Sequence, residues 1–77
     1  MRVKIRYRGI IRVIPLKSIY AKQDEDGKCR LVVDHAYDTE YVSMSRDEAD
    51  SCIDYVLKNG YLDATQFELK HMTIAYW

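Results

Sequence analysis

Arg2, Lys4, Arg6, Arg8 and Arg12 are five cations with no acid among them, and the chemistry they suit is binding. A guanidinium is a planar fork of donors that matches phosphate and carboxylate, so a row of them can track a nucleic-acid backbone or a carboxylate-rich protein surface. The spacing supplies the row. In an extended chain successive side chains point to opposite faces, so Arg2, Lys4, Arg6 and Arg8 share one side of a strand, with Arg12 nearby, while Val3, Ile5 and Tyr7 share the other. The same row also suits a solvated edge strand guarded against aggregation, or a strand that pairs inside the fold with acidic ones.

Acidic residues form a second candidate face. Asp47, Asp50 and Asp54 fall at i, i+3 and i+7, an acidic stripe on one side of a helix. Asp47 also sits where a first helical turn favours negative charge, and a stripe of this kind is the ordinary solvated side of a helix. Together with Asp34, Asp38, Glu40 and Asp63 it could instead imitate phosphate spacing toward a nucleic-acid-binding partner. Ala75-Tyr76-Trp77 is a third candidate: Tyr76 and Trp77 either dock into the core of the chain or anchor a partner, since Trp and Tyr dominate interface energetics.

Catalytic and metal-binding equipment is not expected. Two Cys and two His match one zinc site in number, but Cys29 and His35 lie six positions apart on an expected strand, about 20 Å, too far to share an ion. Cys52 reads as an apolar-face helix residue. Asp24-Glu25-Asp26-Gly27 begins like a calcium loop but lacks the alternating ligands and the closing Glu, and reads as a turn. There is no Gly-rich phosphate loop, nucleophile elbow or Cys-x-x-Cys. The expectation is therefore no catalytic residue, no metal and no cofactor.

The elements that must position these residues follow from periodicity and turn chemistry. Gly9 separates two β-rich runs, Val3–Arg8 and Ile10–Ile14, as a tight hairpin or as one strand bent at a bulge. Ile19–Gln23 and Lys28–His35 flank Asp26-Gly27, a strong hairpin turn, and Cys29, Leu31, Val33 and His35 form the expected core face of the second arm. A turn at Tyr37-Asp38-Thr39 leads to a short strand, Glu40–Met44. Ser45 with Glu48 three residues on is a capping box, apolar residues recur at helical spacing from Ala49 to Leu57, and Asn59-Gly60 is a left-handed stop, so a helix spans about residues 46–59. Gln66–Trp77 reads as extended, with its apolar face switching near Lys70-His71.

This pattern implies an α+β domain over residues 1–77: a small antiparallel sheet of four to five strands with the helix packed on one face. At this length roughly 60–65% of the unfolded surface can be buried, one thin core with little room for an enclosed active site. With 48% apolar and 31% charged residues, the composition is that of an ordered globular chain, and its seven Tyr suit half-wet surfaces. The zero net charge conceals a split: residues 1–30 hold nine Lys/Arg against three Asp/Glu, and residues 31–77 hold three against nine. A start of Met-Arg-Val-Lys without a hydrophobic segment, and the lack of any run near the roughly 20 apolar residues of a span, imply a cytoplasmic protein, or one in a host's cytoplasm if phage-encoded, with no membrane partner.

Gly9-Ile-Ile-Arg-Val-Ile-Pro-Leu-Lys-Ser-Ile-Tyr20 resembles the opening of LytTR-type DNA-binding domains, which share the rhythm "Ile-Pro-Leu, two residues, Ile-Tyr" ahead of a β-hairpin. The resemblance covers about a dozen residues; those domains are longer, the chain departs from them after Val33, and no DNA-contacting residue transfers. Size and charge layout also suit the small accessory proteins of phages and mobile elements that bind and inhibit a larger host or defence protein. The reading of the whole is a non-enzymatic protein-interaction module. The competing reading is a nucleic-acid binder whose basic N-terminal strand contacts phosphates while Tyr7 or Tyr20 stacks on bases. Self-association, the basic segment of one chain meeting the acidic segment of another, makes a homodimer the third.

Overall fold

In the computed structural model, residues 1–23 and 27–72 are described. The chain runs β1 (Arg2–Tyr7), β2 (Ile10–Gln23), β3 (Cys29–His35), β4 (Thr39–Ser43), α1 (Arg46–Asn59), β5 (Tyr61–Asp63), a 3-10 turn (Ala64–Gln66) and β6 (Lys70–His71). The six strands form one sheet in the order β5-β1-β2-β3-β4-β6. All neighbours are antiparallel except β1 and β5, so the sheet is mixed and larger than the four to five antiparallel strands expected. The parallel pair follows from the helix: α1 crosses one sheet face from β4 and returns the chain beside β1, a strand too short to announce itself by alternation.

The hairpin at Gly9 is tight. Arg8 and Gly9 both have positive φ, +52° and +78°, the backbone of a two-residue primed turn whose twist matches the flanking strands. Tyr7 therefore pairs with Ile10, and the ladder continues through Ile5 with Arg12 and Val3 with Ile14. The 14-residue β2 serves two partners, β1 up to Pro15 and β3 from Leu16 onward, with a register shift between Leu16 and Ser18. Pro15 stands at the changeover: its carbonyl accepts the Ala36 N–H at 3.2 Å, and the Leu16 N–H donates to the Met1 carbonyl at 2.9 Å.

Capping fixes the helix at its sequence-expected limits. The Glu48 N–H donates to Ser45 Oγ at 3.2 Å, the Ser45 hydroxyl donates to Glu48 Oε1 at 3.0 Å, and Gly60, at φ +70°, donates its N–H to the Val56 carbonyl. Ala49 and Val56 are buried against Val3, Ile5, Ile14, Leu16, Leu31, Val33 and Leu62, with Cys52 and Ile53 half-buried at the margin. Cys29, Leu31, Val33 and His35 do form the core face of β3. Val32, on the opposite face, is also fully buried, with Tyr20 and Tyr41 as its cross-strand neighbours. Of the run from Gln66 expected to be extended, Gln66 ends the 3-10 turn and Lys70–His71 form β6, while residues 73–77 lie outside the described residues. No helix among the described residues is long and apolar enough to cross a membrane.

One face of the sheet thus holds the core and the other does not. Ile5→Ala should lower unfolding free energy by about 2–5 kcal/mol, the cost of a cavity under the helix. Ile11→Ala, at a half-exposed site on the other face, should cost under about 1 kcal/mol. Urea unfolding of both variants checks the contrast, and equal losses would contradict it.

Candidate functional site

The helix-free face of β1 and β2 brings cations and exposed aliphatic side chains together. Arg2, Lys4 and Arg6 point to this face, and across the ladder Lys4 meets Val13, Arg6 meets Ile11 and Arg2 meets Pro15. Ile11 and Val13 are each 50% exposed, and Tyr20 further along β2 is 43% exposed. The surface continues over β3, β4 and β6, where Arg30 lies opposite both Lys22 and Ser43, its guanidinium sits 4.4 Å from the Tyr41 ring centre, and Lys70 pairs with Tyr41. At its other edge Lys4 lies beside Asp63 of β5. One acid of the second half of the chain therefore does meet the basic row, while Arg2 and Arg6 remain exposed.

Arg8 leaves the expected row, and Arg12, expected nearby, lies on the other face. Arg12 pairs with Ile5 and so lies on the helix side of the sheet, because the tight turn at Arg8-Gly9 sets a register that alternation within one strand does not reveal. Its Nη1 donates to the Tyr37 hydroxyl at 3.0 Å. Arg8 sits in the turn, with its guanidinium 5.4 Å from the Tyr7 ring centre. Tyr7 itself is on the helix side, half-buried, so it cannot stack on a base held by Arg2, Lys4 and Arg6.

Asp47, Asp50 and Asp54 are all exposed on α1, whose buried residues face the sheet, and Asp50 pairs with Arg46 at 3.3 Å. The acidic stripe and the basic row therefore lie on opposite sides of the molecule. Tyr76 and Trp77 fall outside the described residues, as do Asp24, Glu25 and Asp26.

Sequence reading missed a cluster at the β1–β2 tip. His35 and Glu40 are both buried, and His35 Nε2 lies 2.6 Å from Glu40 Oε1. His35 Nδ1 accepts the N–H groups of Tyr37 and Asp38, each at 3.2 Å, so this nitrogen carries no proton and Nε2–H donates to Glu40. Asp38 engages His71 Nδ1 and accepts the Thr39 N–H at 2.8 Å. Tyr7 packs against His35, Tyr37 and His71, with ring centres 5.5–5.9 Å apart. The enclosed His35 ties down the β3–β4 turn, and the turn holds Tyr37 against Tyr7 and Arg12. A shallow concavity of about 260 Å³ lies between Tyr7, Arg8, Ile10, Arg12 and Tyr37. The spacing of His35 and Glu40 in sequence, five residues across a turn, was the one available signal.

The other groups capable of chemistry have local roles. Partial burial pushes the Cys52 thiol up, and the Glu48 carboxylate adds to this, which keeps it protonated rather than nucleophilic. Cys29 is buried in the core. Asp63 caps the 3-10 turn, accepting the Thr65 hydroxyl at 2.5 Å and the Thr65 N–H at 3.0 Å. Comparison with known protein families, with curated proteins and with solved structures finds no match.

Two expectations follow from these bonds. The Thr65 hydroxyl, then the Thr65 amide, then Lys4 hold the Asp63 carboxyl below the usual aspartate value of about 3.9. Its contribution to stability is accordingly present above that unfolded-state value and is lost as pH falls through the lower folded one. A carboxyl-carbon NMR titration should place Asp63 below free aspartate, and Thr65→Val should move it up; titration at the free value, or no change in the variant, would contradict this. Glu40→Ala should cost about 1–3 kcal/mol by leaving the buried His35 N–H unbonded, whereas Asp47→Ala on the exposed helix face should cost less than half of that. Urea unfolding distinguishes the two.

Proposed function

We propose that this chain is a non-enzymatic protein-interaction module whose helix-free sheet face engages an acidic, partly apolar surface of a larger protein. The observation that carries this reading is the interleaving of Arg2, Lys4 and Arg6 with half-exposed Ile11 and Val13. Removing aliphatic surface from water contributes about 25 cal/mol per Å², but only against another apolar surface. A protein provides that next to carboxylates. A phosphate backbone does not, and bases are held by aromatic stacking rather than by Ile and Val. The nucleic-acid reading drew on Tyr7 or Tyr20 as a stacking platform for the basic strand; Tyr7 is on the wrong face, which leaves Tyr20, 43% exposed further along β2, as the one ring of the two on the side of Arg2, Lys4 and Arg6.

Electrostatics supports the same reading. With Arg2, Lys4 and Arg6 on the sheet side and the Asp47, Asp50 and Asp54 stripe on the helix side, an approaching acidic surface is turned toward the sheet. Charge then speeds encounter and the aliphatic contacts slow dissociation. The non-enzymatic part rests on what His35, Cys52 and Asp63 already do within the fold.

The test is affinity capture from lysate of the native host after nuclease treatment. A protein retained by the unaltered chain should be lost with Arg2→Glu/Lys4→Glu/Arg6→Glu and kept with Asp47→Asn/Asp50→Asn/Asp54→Asn, circular dichroism confirming that both variants fold. Loss only with the helix variant, or recovery of nucleic acid alone without nuclease, would overturn the proposal.

A further inference from the structure

The sheet has an open edge in its middle. β2 pairs with β3 only from Leu16 onward, so among the described residues Ile10–Ile14 have a ladder partner on one side alone, β1. In a two-residue hairpin the closing pair, Tyr7 with Ile10, exchanges both backbone hydrogen bonds, and bonded pairs then alternate. Ile10, Arg12 and Ile14 therefore direct their backbone groups at β1, while Ile11 and Val13 direct theirs away from it. The bonds at the changeover keep the same phase: the Pro15 carbonyl faces β3 through Ala36, and the Leu16 N–H faces Met1. Ile10, Ile11 and Val13 are each 50% exposed along this edge. Such an edge is usually guarded by a charge pointing outward. Arg12 is the charge available, and it is drawn over to Tyr37 instead.

We infer that the edge of β2 at Ile11–Val13 receives an extended segment of the partner as an added antiparallel strand in which β-branched residues alternate with carboxylates. This rests on the protein-interaction reading above and adds a contact to it: the β-branched residues of the strand extend the helix-free face, and its carboxylates meet Arg12 on the helix side. Two edge residues offer two donors and two acceptors to an incoming backbone. Residues opposite Ile11 and Val13 share their face and gain by being β-branched, and the residue between them faces Arg12 on the other side. A carboxylate there meets a guanidinium whose Nη1 end alone is committed to Tyr37. A second copy of this chain is the wrong occupant: no Asp or Glu precedes residue 24, so two β1–β2 hairpins placed edge to edge would oppose five cations to five.

The probe is a synthetic heptapeptide, threonine-valine-glutamate-valine-glutamate-valine-threonine, with a control carrying lysine for both glutamates. At saturation the first should slow amide exchange of Ile11 and Val13 by about tenfold or more and leave Ile10, Arg12 and Ile14 little changed, read residue by residue by NMR. Val13→Pro removes one outward N–H at a position that does not bond to β1, and should abolish the effect. Should that variant lose protection at Ile10, Arg12 and Ile14, and so lose the hairpin itself, Arg12→Glu decides: the lysine peptide should then protect and the glutamate peptide should not. Protection that ignores the alternation, no protection, or equal effects of the two peptides would overturn the inference. Slowing at Ile11 and Val13 that grows with protein concentration in the absence of peptide would overturn it too, by identifying a second copy as the occupant. If the peptide has no effect while the Arg2, Lys4 and Arg6 reversal still abolishes capture, edge pairing fails and the interaction reading stands. If that reversal also leaves capture intact, both fail.

Discussion

Among the described residues one helix has to serve a six-stranded sheet, and the rest of the structure follows from that shortage. A 14-residue helix is about 21 Å long, enough to cover the middle of one face and nothing of the other. On β1 and the first half of β2 alternation therefore sorts residues into a side that is dehydrated under α1 and a side that has to live with water. On β1 this sends Val3 and Ile5 inward and Arg2, Lys4 and Arg6 outward. The basic face is the complement of the core, produced by the same period of two, and no residue on β1 can change sides without disrupting both.

Where the helix does not reach, polar pairing takes over. At the tip of β1 and β2 the interior is a set of rings and hydrogen bonds centred on His35, with both ring nitrogens occupied and Glu40 enclosed beside it. A buried polar group that lacks a partner costs about 1–3 kcal/mol, so the bonds of this cluster support one another. It holds the β3–β4 turn, the turn places Tyr37, and Tyr37 in turn draws Arg12 inward. The open edge of β2 and its exposed Ile11 and Val13 are thus linked to a histidine that never meets solvent.

The helix was legible almost to the residue, because Ser45, Glu48 and Gly60 act locally and their chemistry does not depend on tertiary context. The core face of β3 was legible for the same reason, from alternation alone. What eluded the sequence was anything set by register between strands. Arg12 changes faces because a two-residue turn, rather than a bulge, joins β1 to β2, and one Gly does not decide between them. Val32 looked like a solvent-side residue and is buried by its Tyr20 and Tyr41 neighbours, a cross-strand effect. β5 and β6, three and two residues long, carry too few positions for any periodicity. The His35–Glu40 pair has no motif; only the turn between the two residues makes them partners.

The central claim is that the helix-free face of β1 and β2 is the working surface. The most direct measurement is a hydrogen-exchange footprint of the whole chain, free and in complex with the partner it captures. This account expects slowed exchange within residues 2–15 and an unchanged α1. Protection confined to α1, or spread evenly over the chain, would contradict it.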